Sequence, residues 1–262
     1  MFTSPGSIAF RFLSFDIYWY GIIIAFAMFV SLIVILTIRK KYYSDIPEDN
    51  IFDISLLLII SGIICARIYY VILDWQYFSS HPSLIPCIWN GGISIHGAII
   101  GGIIVSYLYI KKKKVNFLKY ADLFSFGIVT GQIIGRWGNF FNSEAYGLPC
   151  DLPWKLYIPY EFRPAFYKGY QYFHPAFLYE SLANTLLLGI MLYILIKKPN
   201  RKTGTIFFLY IILYGIIRNL IENIRIDSVL NLLNGVHFAN IASLVFIIFG
   251  FAGLYYIHSK KA

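Results

Sequence analysis

The sequence predicts an all-α integral membrane protein with seven transmembrane helices, an outside N-terminus and a cytoplasmic C-terminus. Three observations predict it. Of the 262 residues, 58% are hydrophobic and only 13% are charged, whereas soluble domains hold about 25% charged and about 45–50% apolar residues. Seven apolar stretches are long enough to cross a hydrocarbon core ~30 Å thick, which takes about 20 helical residues. Lys and Arg gather after every second stretch, as they do in cytoplasmic loops.

The stretches run over roughly 17–38, 51–74, 91–110, 121–141, 176–196, 204–223 and 237–257, and the whole chain, 1–262, reads as one polytopic membrane domain. Arg39, Lys40 and Lys41 follow the first, Lys111–Lys114 the third, Lys197, Lys198, Arg201 and Lys202 the fifth, and Lys260 and Lys261 the seventh. The alternate connection 75–90 has neither Lys nor Arg. All four basic clusters agree with an outside N-terminus and an odd number of spans. The longest connection, 142–175, is rich in aromatics and proline and is predicted to cap the outer surface.

The net charge of +9 taken alone would admit a nucleic-acid partner. It lies in short runs between apolar stretches and no nucleic-acid-binding motif accompanies it, so it reads as a topology signal and no nucleic acid is expected. The Lys111–Lys114 run is also suited to touching anionic lipid. Cys65 lies inside an apolar stretch, while Cys87 and Cys150 lie in connections, and their spacing leaves open whether they pair. No metal-ligand spacing occurs, and neither metal nor cofactor is expected. No removable signal peptide is predicted, because a basic leader and a small-residue cleavage site are lacking.

Chemistry concentrates in Gly131–Gly147, GQIIGRWGNFFNSEAYG. A bilayer core penalises polar and charged side chains by a few kcal/mol each, so those that persist are usually functional. Arg136 and Asn139 are three apart and share a helix face. The orientation puts Tyr20, Arg67, His96, Arg136, Glu180 and the Arg218–Glu222 pair in the outer half of their spans. Such a common level predicts a polar cavity in the outer leaflet. Gly97 with Gly101, and Gly131 with Gly135, form GxxxG pairs that let helices approach closely.

Each group admits a second reading. Arg136 and Arg218 suit a phosphate, through planar forks of donors, or each pairs with Glu144 or Glu222 to staple helices. His96 is a general base or a packed histidine bonded to a carbonyl. Arg67 is a headgroup ligand or a partner of Asp53, Asp122 or a carbonyl. Tyr20 belongs to the site or to an aromatic belt. Asn139 and Asn142 orient a substrate oxygen or cap a helix end. His174, before Pro175, reads as structural, and His237 and His258 as interfacial.

The run Gly135-Arg136-Trp137-Gly138-Asn139-Phe140-Phe141-Asn142-Ser143-Glu144-Ala145-Tyr146-Gly147 resembles the signature of the bacterial prolipoprotein diacylglyceryl transferases. Four further matches stand in the family's order: Trp19-Tyr20-Gly21, Gly91 to Gly97 around His96, His174-Pro175 to Tyr179-Glu180, and Arg218 followed by Glu222. One departure is Ala239-Asn240, where members often carry Gly-Gln.

The resemblance implies transfer of a diacylglyceryl group from phosphatidylglycerol to the lipobox cysteine of a prolipoprotein signal sequence. The place implied is the outer leaflet of the bacterial inner membrane. It also implies an essential set of Tyr20, His96, Arg136, Asn139, Glu144, Gly147, Arg218 and Glu222, with Arg67 a further candidate for substrate. Two other readings are a transporter or channel for an anionic solute and a membrane scaffold. A transport path would continue to the cytoplasmic side, whereas these polar groups gather at one level.

Overall fold

The computed structural model describes residues 1–13, 15–226, 231–232 and 236–259. Lys260 and Lys261, read above as a topology signal, lie outside the described residues, as does the side chain of His237. The described residues hold eight α-helices: α1 Trp19–Tyr42, α2 Glu48–Leu73, α3 Trp75–Ser80, α4 Ile95–Lys113, α5 Phe117–Phe141, α6 Ala176–Lys197, α7 Thr205–Glu222 and α8 Phe238–Ser259. Seven overlie the seven apolar stretches, and the short α3 occupies the connection 75–90. The strands are short: β1 Phe2–Thr3, β2 Ile8–Phe12, β3 Phe15–Tyr18, β4 Leu156–Tyr157 and β5 Tyr172–Phe173.

Five helices, α1, α2, α6, α7 and most of α8, are long and apolar enough to cross a membrane. The other two long helices carry more polar residues. Lys111, Lys112 and Lys113 end α4, and Lys119, Asp122, Gln132 and Arg136 interrupt α5. Local rules set several ends. Arg39, Lys40 and Lys41 close α1 and Glu48 and Asp49 open α2, as the helix dipole favours. At the start of α7, the Gly204 and Phe207 amides donate to Asp122 on α5, both at 2.8 Å, so a carboxylate from another helix satisfies donors that a helix start leaves free.

The chain divides into two compact units, residues 39–117 and residues 1–38 with 118–262. In the unit 39–117, α2 packs on α4. A Cβ at Gly101 would stand 2.7 Å from Cys65 Cβ, so the expected GxxxG pair of α4 does mark a close approach. In the other unit, α5 behaves differently. A Cβ at Gly131 or Gly135 would find 3.2 or 3.6 Å of room, while at Gly138 it would stand 2.8 Å from the Tyr20 ring. The tight contact of α5 in the signature is therefore at Gly138, one residue before Asn139.

The connection 142–175 builds a small core, Ala145, Tyr146, Leu156, Ile158 and Phe173, against Phe177 of α6, with β1, β4 and β5 joined in one sheet. Arg163 ties it together by donating to the carbonyls of Ile158 at 2.8 Å and Lys168 at 3.2 Å. All three cysteines are free thiols.

Candidate functional site

Four helix ends in the larger unit bring the polar residues together. Arg136 stands one turn before the end of α5, Glu180 near the start of α6, Arg218 and Glu222 in the last turns of α7, and Tyr20 at the start of α1. Glu180 is fully buried. Its Oε1 accepts from Arg136 Nη2 at 2.5 Å, and its Oε2 lies 3.7 Å from Arg218 Nη1. Arg218 Nη2 also pairs with Glu222 at 2.7 Å. Two guanidiniums thus converge on one carboxylate, with about a fifth of each arginine side chain exposed (22% and 21%).

This corrects the pairing expected from sequence. Glu222 is a partner of Arg218, but the carboxylate on Arg136 is Glu180, which spacing along α5 could not reveal. Glu144 binds the asparagines instead, accepting from Asn139 Nδ2 at 3.3 Å and Asn142 Nδ2 at 3.2 Å. Asn139 in turn accepts from Arg136 Nη1 at 3.3 Å. A chain of contacts therefore runs Glu180–Arg136–Asn139–Glu144. Glu144 is exposed and Asn139 half-buried, so the chain leads from the interior to the open face. Tyr20 lies against Gly138, within the electrostatic reach of Arg136 and Glu144.

The turn that presents Glu144 is strained. Ser143 and Ala145 flank it with φ of 56° and 53°, a region that costs non-glycine residues roughly 1–2 kcal/mol. The Glu144 amide closes the turn on the Asn139 carbonyl at 2.9 Å. Gly147 then crosses the segment after α7. Its amide donates to the His174 carbonyl at 2.8 Å, it bridges Arg225, and a Cβ would stand 2.7 Å from Ile224. The geometry explains this glycine by close packing. His174 Nδ1 lies 3.1 Å from the Tyr179 hydroxyl, which accepts from Trp154 at 2.9 Å.

Below the arginines, Gln132 Nε2 donates to the Tyr210 hydroxyl at 3.0 Å. Tyr210 stacks on Tyr214, with ring centroids 5.8 Å apart, and Tyr214 reaches Arg136 by a side-chain hydrogen bond. Sequence reading missed Tyr210 and Tyr214, since tyrosine is common in membrane helices, and passed over Gln132 although its amide lies inside the apolar run. Glu180 carried a usable signal: a carboxylate inside an apolar helix.

The remaining candidates lie in the unit 39–117. Arg67 is buried and donates to four carbonyls: Ile85 and Leu84 at 2.8 and 2.7 Å, Gly91 and Gly92 at 2.7 and 2.8 Å. Of the partners left open for it, a carbonyl is the one realised, four times over. It holds the 84–92 connection beside a small cavity lined by Tyr70, Asp74, Tyr77 and Phe78. With five N–H donors in all, it keeps little capacity for a headgroup. His96 is exposed, with its ring centroid 5.9 Å from that of Tyr69, and so is not the packed histidine of the alternative reading. Among the described residues, no group of three or more His, Cys, Asp or Glu is arranged to hold a metal.

Comparison with known proteins shows the family of the chain. The family model described as prolipoprotein diacylglyceryl transferase matches residues 7–256. A phosphatidylglycerol–prolipoprotein diacylglyceryl transferase of Acaryochloris marina is 46% identical over 261 residues, covering 100% of this chain and 94% of the relative. One from Trichormus variabilis is 41% identical, covering 100% and 93%, and one from Synechocystis is 39% identical, covering 98% and 91%. An arginine pair on a buried carboxylate, an intact signature and matches over the full length lead to one assignment: the chain belongs to the prolipoprotein diacylglyceryl transferase family.

Proposed function

We propose that the chain transfers the diacylglyceryl group of phosphatidylglycerol to the lipobox cysteine thiol of a prolipoprotein, forming a thioether and releasing glycerol phosphate. The observation that carries this reading is the convergence of Arg136 and Arg218 at one buried point, Glu180. Paired planar forks of this kind suit a phosphodiester.

In the reaction the cysteine sulfur forms a bond to the glyceryl carbon. The carbon–oxygen bond to phosphate breaks, and its electron pair leaves on the phosphate. Arg136 and Arg218 hold the phosphodiester and stabilise the charge that develops on it. Asn139 and Tyr20 fix the headgroup, Glu144 orients Asn139, and Glu180 and Glu222 aim the guanidiniums. Gly147 keeps the turn packed beside them. The thiol attacks as thiolate, and His96 is the proposed acceptor of its proton, directly or through water. A proton acceptor of near-neutral basicity is what such a step needs.

The proposed setting is the bacterial inner membrane, with seven spans, an outside N-terminus and a cytoplasmic C-terminus. The arginine pair then works in the outer leaflet, and 142–175 caps it. Transfer of labelled diacylglycerol from phosphatidylglycerol to a lipobox peptide tests the reading. Thioether product is expected with wild type, none with Arg136→Ala, and a large loss with His96→Gln. Wild type that folds but makes no thioether overturns the reaction. His96→Gln at the wild-type rate removes histidine as the proton acceptor.

A further inference from the structure

We infer that Asn184, Gln132 and Glu180 enclose a site for ordered water one helical turn beneath the arginine pair. Asn184 is fully buried, yet neither its Nδ2 nor its Oδ1 has a hydrogen-bond partner in the protein. Two further buried atoms at this depth share that condition, Gln132 Oε1 and Glu180 Oε2. Glu180 Oε2 reaches Arg218 only at 3.7 Å, beyond hydrogen-bond length.

Helix register brings these atoms together. The contacts Arg136–Glu180 and Ser181 Oγ to the Ile133 carbonyl at 2.9 Å set α6 antiparallel to α5. The contact Arg218–Glu180 sets α7 against α6 in the same sense. One turn further from this end, the three helices present Gln132, Asn184 and Tyr214. Residues four apart share a helix face, so the polar stripes Gln132–Arg136, Glu180–Asn184 and Tyr214–Arg218 face one another as a second layer.

A carboxamide with two donors and an acceptor oxygen is costly to bury unpaired. Asn184 would be expensive in a dry apolar layer. The ligand that fits is water, which makes about three hydrogen bonds at such places and needs only a small space with two to four polar partners. Water donating to Glu180 Oε2, and held by Asn184 and Gln132, fixes the face of the carboxylate turned toward Arg218. Asn184 is thereby a positioning residue that acts through water and Glu180, touching no substrate.

Nuclear magnetic resonance of protein carrying isotope-labelled asparagine in micelles tests the site directly. Magnetisation transfer from water to the Asn184 carboxamide is expected, with the signal assigned by its loss in Asn184→Ser. A carboxamide signal that receives nothing from water overturns the proposal. This readout is independent of any activity. The positioning role rests on the transfer reaction proposed above. For it, Asn184→Leu is expected to lower kcat roughly ten- to a hundredfold, the scale of one lost hydrogen bond to a charged group, with little change in KM. Asn184→Ser, which readmits water, is expected to restore most of the rate. A folded Asn184→Leu protein with wild-type kcat overturns the positioning role, and so does Asn184→Ser no faster than Asn184→Leu.

Discussion

Glu180 holds Arg136 and Arg218 from a fully buried position. Removing one partner from a buried ion pair costs about 3–5 kcal/mol. Because each guanidinium keeps about a fifth of its surface, the lower end of that range applies. Glu180→Gln is therefore expected to lower the unfolding midpoint in detergent by several degrees and, because both guanidiniums lose their common anchor, to reduce transfer per folded molecule in the labelled-lipid assay. Wild-type transfer by Glu180→Gln would show that the arginines need no carboxylate between them. The site residues in the signature run were legible because charged and amide side chains stand out against an apolar stretch. The partner of Arg136 was not, since the contact joins residues 44 positions apart and Glu144 lay nearer in sequence. Arg67 was legible as an unusual residue but not in its role, because four carbonyl acceptors leave no mark on side-chain spacing.

At the scale of elements, helix existence was legible almost throughout. Apolar stretches of about 20 residues and their basic ends locate the seven long helices to within a few residues. The turn after α5 was not legible, since Ser143 and Ala145 adopt a conformation usually left to glycine. The GxxxG pattern was half informative: it marks the α2–α4 contact at Gly101, while on α5 the close contacts fall outside the pair, at Gly127 and Gly138. One tertiary cap offers a test. Asp122 satisfies two amides at the start of α7, and loss of a helix cap costs about 1 kcal/mol, up to about 2. Asp122→Ala is expected to lower the unfolding midpoint in detergent by roughly 2–8 °C, with transfer per folded molecule unchanged. An unchanged midpoint would mean that water serves those amides as well as the carboxylate does.

For the whole molecule, the proposed orientation rests on the alternation of basic and neutral connections. Reporter fusions check it: an alkaline phosphatase fused within 75–90 is expected to be active outside, and one fused at Lys111–Lys114 inactive. Equal activity at both points would remove the proposed arrangement of spans. The two compact units were invisible to hydropathy, which reads each helix alone and carries nothing about which helices cohere. The double hold of Glu180 on the arginines also bears on turnover. A protein that kept two naked guanidiniums for a phosphate would bind the released glycerol phosphate too and stall on it. Here an internal carboxylate competes for the same donors once the lipid tail has gone. On the proposed reaction, Glu180 then expels the spent headgroup and resets the pair for the next lipid.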